Sequence, residues 1–232
     1  MSARVRVESC VESLEAAYAS AAGGADRVEL CARLDVGGLT PSAALVERCV
    51  AATGLPVMAM ARPRPGSFVY DRHEVDRMVH DVLAMRRAGA HGIVAGALTA
   101  AGDVDTEGMR LVLAAARPLP VTFHRAFDGA RRLDEALDQL MALGVDRVLT
   151  SGGAATASEG AVVLRRLVTR AGARLVVMAG GGVRPHNVGA LVRASGVTEV
   201  HARIIREPAP AGANGEAAWR AAVADLVAAL PV

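Results

Sequence analysis

The sequence predicts a closed (β/α)8 barrel of parallel strands alternating with helices, and three observations carry that prediction. A Gly-x-x-x-(Val/Ile) signature recurs at Gly24–Val28, Gly89–Ile93, Gly144–Val148 and Gly196–Val200. In each, a glycine suited to a left-handed helix end is followed by a β-branched residue opening a buried strand. Other short apolar stretches fall between these junctions, and an amphipathic helical pattern separates each strand candidate from the next. Strict alternation of this kind indicates a parallel sheet, because parallel strands need crossover connections.

In chain order, Val5–Cys10 is the first strand and Glu12–Ala22 its helix, ending where Gly24 opens the second strand, Arg27–Cys31. Thr40-Pro41 reads as N-cap and first residue of the next helix. Pro56–Ala61 (PVMAMA) follows as a strand and Val75–Ala88 as a helix. The strand after Gly89 leads to a helix over Thr106–Ala116, then to the strand Pro120–His124 and the helix Leu133–Leu143. The strand after Gly144 precedes Gly160–Arg170. Leu175–Ala179 is followed by His186–Ala194, and the strand after Gly196 by Ala217–Leu230. The Pro/Gly-rich stretch 206–215 reads as a long loop before the last helix. Residues 1–232 are expected to form one domain. A doubly wound open sheet is the alternative, but no G-x-G-x-x-G follows the first strand.

Composition narrows the chemistry. All 26 basic residues are arginine and none is lysine, which excludes lysine Schiff-base and P-loop chemistry. With a formal net charge of +2 and 3% aromatic residues, the chain offers neither a basic stripe nor stacking platforms, so no nucleic-acid partner is expected. No long apolar run marks a membrane span or a leader, so a cytoplasmic location without membrane contact is expected. The three cysteines, Cys10, Cys31 and Cys49, are then expected to stay reduced.

Barrel sites lie at the carboxyl ends of the strands. The first two strands match, Arg6-Val7-Glu8-Ser9-Cys10 against Arg27-Val28-Glu29-Leu30-Cys31, and alternation puts Arg, Glu and Cys on one side, expected to face the barrel interior. Equivalent heights on neighbouring strands would bring Cys10 and Cys31 together near the mouth. Two thiols make a soft-metal site in outline, for Cu(I) at low coordination or for Zn with more ligands. Met58 and Met60 could add thioethers, although core packing is the commoner use of such residues. Cys49, on a helix, reads as packing, and His73, His80 and His91 as surface or junction residues.

The other strand ends point to anion chemistry. Arg62 and Arg125 offer bidentate charge, while Ser151, Gly152, Gly153, Gly180, Gly181 and Gly182 form turns whose N–H groups can approach a phosphate or carboxylate. His201 and Arg203 close the set. Glu8, Glu29 and His124 are candidate acid/base residues. The competing reading makes the Arg–Glu pairs structural and the glycines mere turns.

Seven blocks in order, VESCVESLEAA, GGADRVELCARLDVGGLTPS, ARPRPGSFVYD, VAGALTAAGDVD, LPVTFHRAFD, GVDRVLTSGG and VVMAGGGV, resemble those of the CutC copper-homeostasis family. The resemblance implies a (β/α)8 barrel, a cytoplasmic homo-oligomer, with a dimer favoured, and a link to copper tolerance. It also implies that Cys10 and Cys31 are Cu(I) ligands. Pro65 and Ser67 stand where the family usually has glycine and an acid, and Arg203 where it usually has serine. The mouth carries more polar groups than a copper carrier needs, so a barrel enzyme acting on a small anionic metabolite, phosphorylated or carboxylated, is the alternative function.

Overall fold

The computed structural model describes residues 4–204 and 212–231. Eight parallel strands close in chain order, with β8 pairing back onto β1. They are β1 (Arg6–Val11), β2 (Arg27–Leu30), β3 (Val57–Met60), β4 (Gly92–Ala95), β5 (Val121–Phe123), β6 (Arg147–Thr150), β7 (Val176–Gly180) and β8 (Glu199–Ala202). The helices between and after them are α1 (Leu14–Ala22), α2 (Ala43–Thr53), α3 (Arg72–Arg87), α4 (Thr106–Ala116), α5 (Leu133–Leu143), α6 (Ala161–Ala171), α7 (Pro185–Ser195) and α8 (Gly212–Ala228). The (β/α)8 alternation therefore stands as expected.

Helix starts differ from the sequence expectation by a few residues, for local reasons. Ser13, Ser42 and Asp71 accept from the backbone N–H of the first turns of α1, α2 and α3, and Asp71 forms a capping box with Glu74. Thr40 is not the cap of α2: its Oγ1 donates to the Arg62 carbonyl and accepts from the Arg62 N–H, holding the end of β3 instead. The loop expected over 206–215 lies partly outside the described residues, and α8 already begins at Gly212. Gly144 and Gly196 end α5 and α7 in the left-handed region, as the repeated junctions require.

The side-chain alternation of the strands makes two interiors. Val7, Val28, Leu30, Val57, Ala59, Ile93, Val121 and Val200 belong to one extensive buried cluster that also includes helix residues such as Val46, Met78, Met109, Leu137 and Leu164. Cys49 sits in this cluster, as packing. Each fully buried aliphatic side chain contributes roughly 1.5–3 kcal/mol there. α8 closes the ring against α1, where Trp219 Nε1 donates to Ser20 Oγ at 3.0 Å. The second cluster is small and sulfur-rich: Cys10, Cys31, Leu34, Met58, Met60 and Val94. Met58 lies opposite Gly92, and a Cβ on that glycine would sit 2.1 Å from the Met58 Cε, so a larger residue there would displace the thioether from its present place.

Arg6 departs from the interior set: its side chain is 64% exposed and only reaches toward Glu199 at 3.8 Å. It begins β1, at the amino-terminal end of the barrel, where the chain is still open to water.

Candidate functional site

Below the mouth the barrel is filled by charge. Arg27 Nε donates to Glu8 Oε2 at 2.5 Å, its Nη2 donates to Glu199, and Arg147 Nε also donates to Glu199, at 2.6 Å. All four residues are at least largely buried, so these pairs interact through low dielectric. Glu8 Oε1 in turn lies 2.8 Å from His201 Nδ1. Burial would raise the Glu8 pKa, but the charge of Arg27 and the bond to His201 outweigh it and bring it down to about 2. Glu8 is thereby held as an anion beside His201.

The thiols sit above this network. The strand register places Cys10 opposite Glu29, not opposite Cys31, because barrel closure staggers β2 against β1. The equal-height expectation is thus corrected, yet the sulfurs still converge. Cys10 Sγ and Cys31 Sγ lie 3.2 and 3.5 Å from Glu29 Oε2, and the three ligand atoms lie within 4.8 Å of one another. The interaction with Cys31 and the charge of His201, working against burial, lower the Cys10 pKa to about 5. The Cys31 thiol is pushed up by its bond to Cys10 and by burial. Burial, reinforced by the neighbouring Cys10 sulfur, pushes Glu29 up as well. His201 is held protonated despite burial, by the acceptors Glu29, Cys10 and Glu8 around it.

Over this floor opens a cavity of about 600 Å³, a size that suits a small ligand. Cys10, Glu29 and His201 reach it from below, and Arg62, His124, Arg125, Gly181 and Gly182 line its wall. Cys31, Glu8, Ser151, Gly152, Gly153 and Gly180 do not line it. Gly180 serves packing, since a Cβ there would fall 2.5 Å from Leu149 Cδ1.

Arg62 is already engaged. Its Nη1 donates to the carbonyls of Val36 and Gly38 and its Nη2 to that of Gly66, pinning the loops after β2 and β3. Arg64, which lies over Tyr70 and pairs with Glu74, braces the same loop around Pro65 and Ser67. Arg203 Nη1 donates to the Leu34 carbonyl, a second tie on the loop after β2. His124 accepts the Ala126 N–H at Nδ1, while its buried Nε2 has no partner among the described residues. Burial and the charge of Arg62 lower its pKa to about 3. With Nδ1 accepting and the pKa lowered, the ring is held neutral with its proton on Nε2.

The turn after β6 holds an anion, but that anion is the chain's own Asp128. The carboxylate accepts from the N–H groups of Ser151 and Gly153, from Thr150 Oγ1, and from Arg125 Nε at 2.8 Å. The cradle expected at Ser151, Gly152 and Gly153 is therefore occupied from within. Asp128 went unremarked in the sequence reading, although it closes the FHRAFD block three residues after Arg125. Asp128→Ala is expected to lower the unfolding free energy by about 2 kcal/mol, since it leaves several turn donors unpaired. Denaturant titration reads the change, and an unchanged midpoint would show that the turn needs no internal anion.

Comparison with known proteins agrees with this architecture. The CutC family profile matches residues 5–205. A CutC family protein of Chromobacterium violaceum is 48% identical over 196 residues, covering 84% of this chain and 79% of that protein. The human copper homeostasis protein cutC homolog is 44% identical over 195 residues, covering 84% and 71%. A solved structure described as a copper homeostasis protein CutC, from Streptococcus agalactiae, superposes with a TM-score of 0.82 at 33% identity, covering 86% of this chain and 98% of that one.

Proposed function

This chain belongs to the CutC family, and from that premise we propose that it serves copper homeostasis by holding Cu(I) between Cys10 and Cys31 at the floor of the barrel mouth. One observation carries the reading: two sulfurs and a carboxylate oxygen lie within 4.8 Å of one another. An ion with sulfurs on opposite sides, at metal–sulfur bonds of about 2.3 Å, needs sulfurs about 4.6 Å apart. The backbone supports the same choice. Cys31 stands two residues beyond the register partner of Cys10, which separates their Cα atoms by roughly 8 Å, too far for an unstrained disulfide. The pair is suited to bridging an ion, not to cross-linking. The lowered Cys10 pKa supplies one thiolate without a metal to induce it, and Met60 offers a soft neighbour.

Titrating the reduced protein with Cu(I) against a competing chelator tests this. One Cu(I) per chain is expected for the native protein, and loss of retention for Cys10→Ser and for Cys31→Ser. Equal retention by all three rejects the assignment. A cytoplasmic setting, where both thiols stay reduced, and a homodimer belong to the same reading.

A second reading is an enzyme acting on a small anionic metabolite. It is favoured by the cavity, whose wall carries the unpartnered His124 Nε2 and whose floor carries the unpartnered Glu29 Oε1, groups that copper binding leaves unused. In it Glu29 is the carboxyl that exchanges a proton, and Glu8 and His201 set its surroundings. Turnover assays on metabolites that stabilise the protein against heat test it, and absence of any conversion rejects it.

A further inference from the structure

We propose that the cavity binds a small organic oxyanion that also carries a carbonyl oxygen, its anionic group resting on the N–H groups of Gly181, Gly182 and Val183 beside Arg125, and its carbonyl accepting from His124 Nε2–H. The inference deepens the enzyme reading by naming the ligand class and its two recognition points.

Three observations meet in it. First, the two glycine-rich turns of the mouth are not equivalent. The one after β6 is filled by Asp128, whereas the N–H groups of Gly181, Gly182 and Val183 after β7 have no hydrogen-bond partner among the described residues. Gly181 and Gly182 both hold positive φ, of 108° and 71°, a backbone that L side chains rarely adopt and that keeps this turn free of Cβ atoms, so an anion can approach its N–H groups closely. They line the cavity together with Arg125, whose guanidinium Asp128 fixes in place. A turn at the carboxyl end of the seventh strand, running into the N-terminus of an eleven-residue helix, is where barrels commonly take a phosphate group.

Second, His124, which lines the cavity, can act only as a donor at its free ring nitrogen. The Ala126 N–H occupies Nδ1 at 3.2 Å, so the neutral ring carries its proton on Nε2, and the residue is 4% exposed. A buried donor with no acceptor is costly to keep, and an acceptor oxygen on a ligand in the adjoining cavity would satisfy it. The low pKa of His124 prevents the ring from becoming a cation that would simply attract any anion. Recognition at this point is of an oxygen acceptor.

Third, Phe68 packs beside His124 in the cavity wall. Its ring lies 4.9 Å from the His124 ring and 4.9 Å from the Arg62 guanidinium carbon, and it lines the cavity. That ring gives the cavity wall beside His124 and Arg62 an apolar face against which the carbon skeleton of an organic anion can rest.

Calorimetric titration of the Cys10→Ser/Cys31→Ser protein, which takes the proposed copper ligands out of play, tests the proposal. The probes are inorganic phosphate, glycerol 3-phosphate, dihydroxyacetone phosphate and pyruvate. The expected result is that at least one of the two oxo compounds, dihydroxyacetone phosphate or pyruvate, binds about tenfold tighter than inorganic phosphate, the worth of one buried hydrogen bond. Which of the two it is distinguishes a phosphate from a carboxylate as the anionic group. His124→Asn keeps the Nδ1-side acceptor and is expected to abolish that advantage while leaving inorganic phosphate unchanged, and Arg125→Met is expected to weaken every probe. No binding of any probe at millimolar concentration overturns the proposal, as does an advantage for the oxo compounds that survives in His124→Asn. Should that variant fail to fold, the wild-type order of affinities decides alone: dihydroxyacetone phosphate no tighter than glycerol 3-phosphate, together with pyruvate no tighter than phosphate, overturns it. Binding is read without turnover, so a protein that binds an oxo compound and converts nothing loses the enzyme reading and keeps this site.

Discussion

Replacing Arg27 with methionine is expected to lower the unfolding free energy by about 3–5 kcal/mol, the cost of leaving buried carboxylates without their cation. Arg27 bridges Glu8 and Glu199, and its Nη2 also lies 3.0 Å from Met178 Sδ, so the whole side chain is committed inside the barrel. Glu199 would retain Arg147, but Glu8, with no exposed surface, would be left with His201 alone. Urea unfolding of the single variant measures the loss. The double variant Arg27→Met/Glu8→Gln is expected to recover part of it, because the carboxylate that needs the cation is gone and the effects of contacting residues do not add. If the double variant falls by the full sum of the two singles, the pair does not act as a unit.

The second large effect is a pH dependence assigned to His124. Its folded pKa, about 3, lies below its ordinary value of 6.5. As pH falls below 6.5 an unfolded chain takes up a proton that the folded chain refuses, so the native state loses about 1.4 kcal/mol per pH unit from this group until pH 3 is approached. The cluster of Cys10, Glu29 and His201 also titrates, and Glu8 adds its own loss between its ordinary 4.5 and about 2. Those groups are common to His124→Asn and cancel in a difference. The difference in unfolding free energy between native protein and His124→Asn is therefore expected to shift by roughly 2–3 kcal/mol, against the native protein, between pH 7 and pH 4.5. A difference that stays constant over that interval would mean that the imidazole takes up its proton in the folded state.

Much of the fold could be read from residue order because its determinants are local. Gly144 and Gly196 end helices for steric reasons of their own, and the alternation in Arg27-Val28-Glu29-Leu30 separates a barrel face from a helix face within one strand. Cap positions were less legible. Thr40 and Ser42 are equally good N-caps by type, and only the return of β3 beside Thr40 assigns its hydroxyl to Arg62. The site was legible as a set of residue types and not as an arrangement. Nothing in the spacing of Asp128 from Ser151 shows that one carboxylate fills the turn after β6 while the turn after β7 stays open.

By itself the sequence determined the alternating architecture, the absence of lysine chemistry, and the presence of arginine, glutamate, histidine and two thiols at the strand ends. Those follow from composition and from periodicities of two and of 3.6 residues, which act within a single element. The tertiary structure alone decided which groups act together. Barrel stagger set Cys10 against Glu29, Arg27 and His201 hold Glu8 as an anion against its burial, burial made His124 a neutral donor, and closure of β8 on β1 brought His201 to Glu8 across 193 residues of chain. Register, desolvation and long-range pairing depend on where the whole chain goes, and no local pattern carries them.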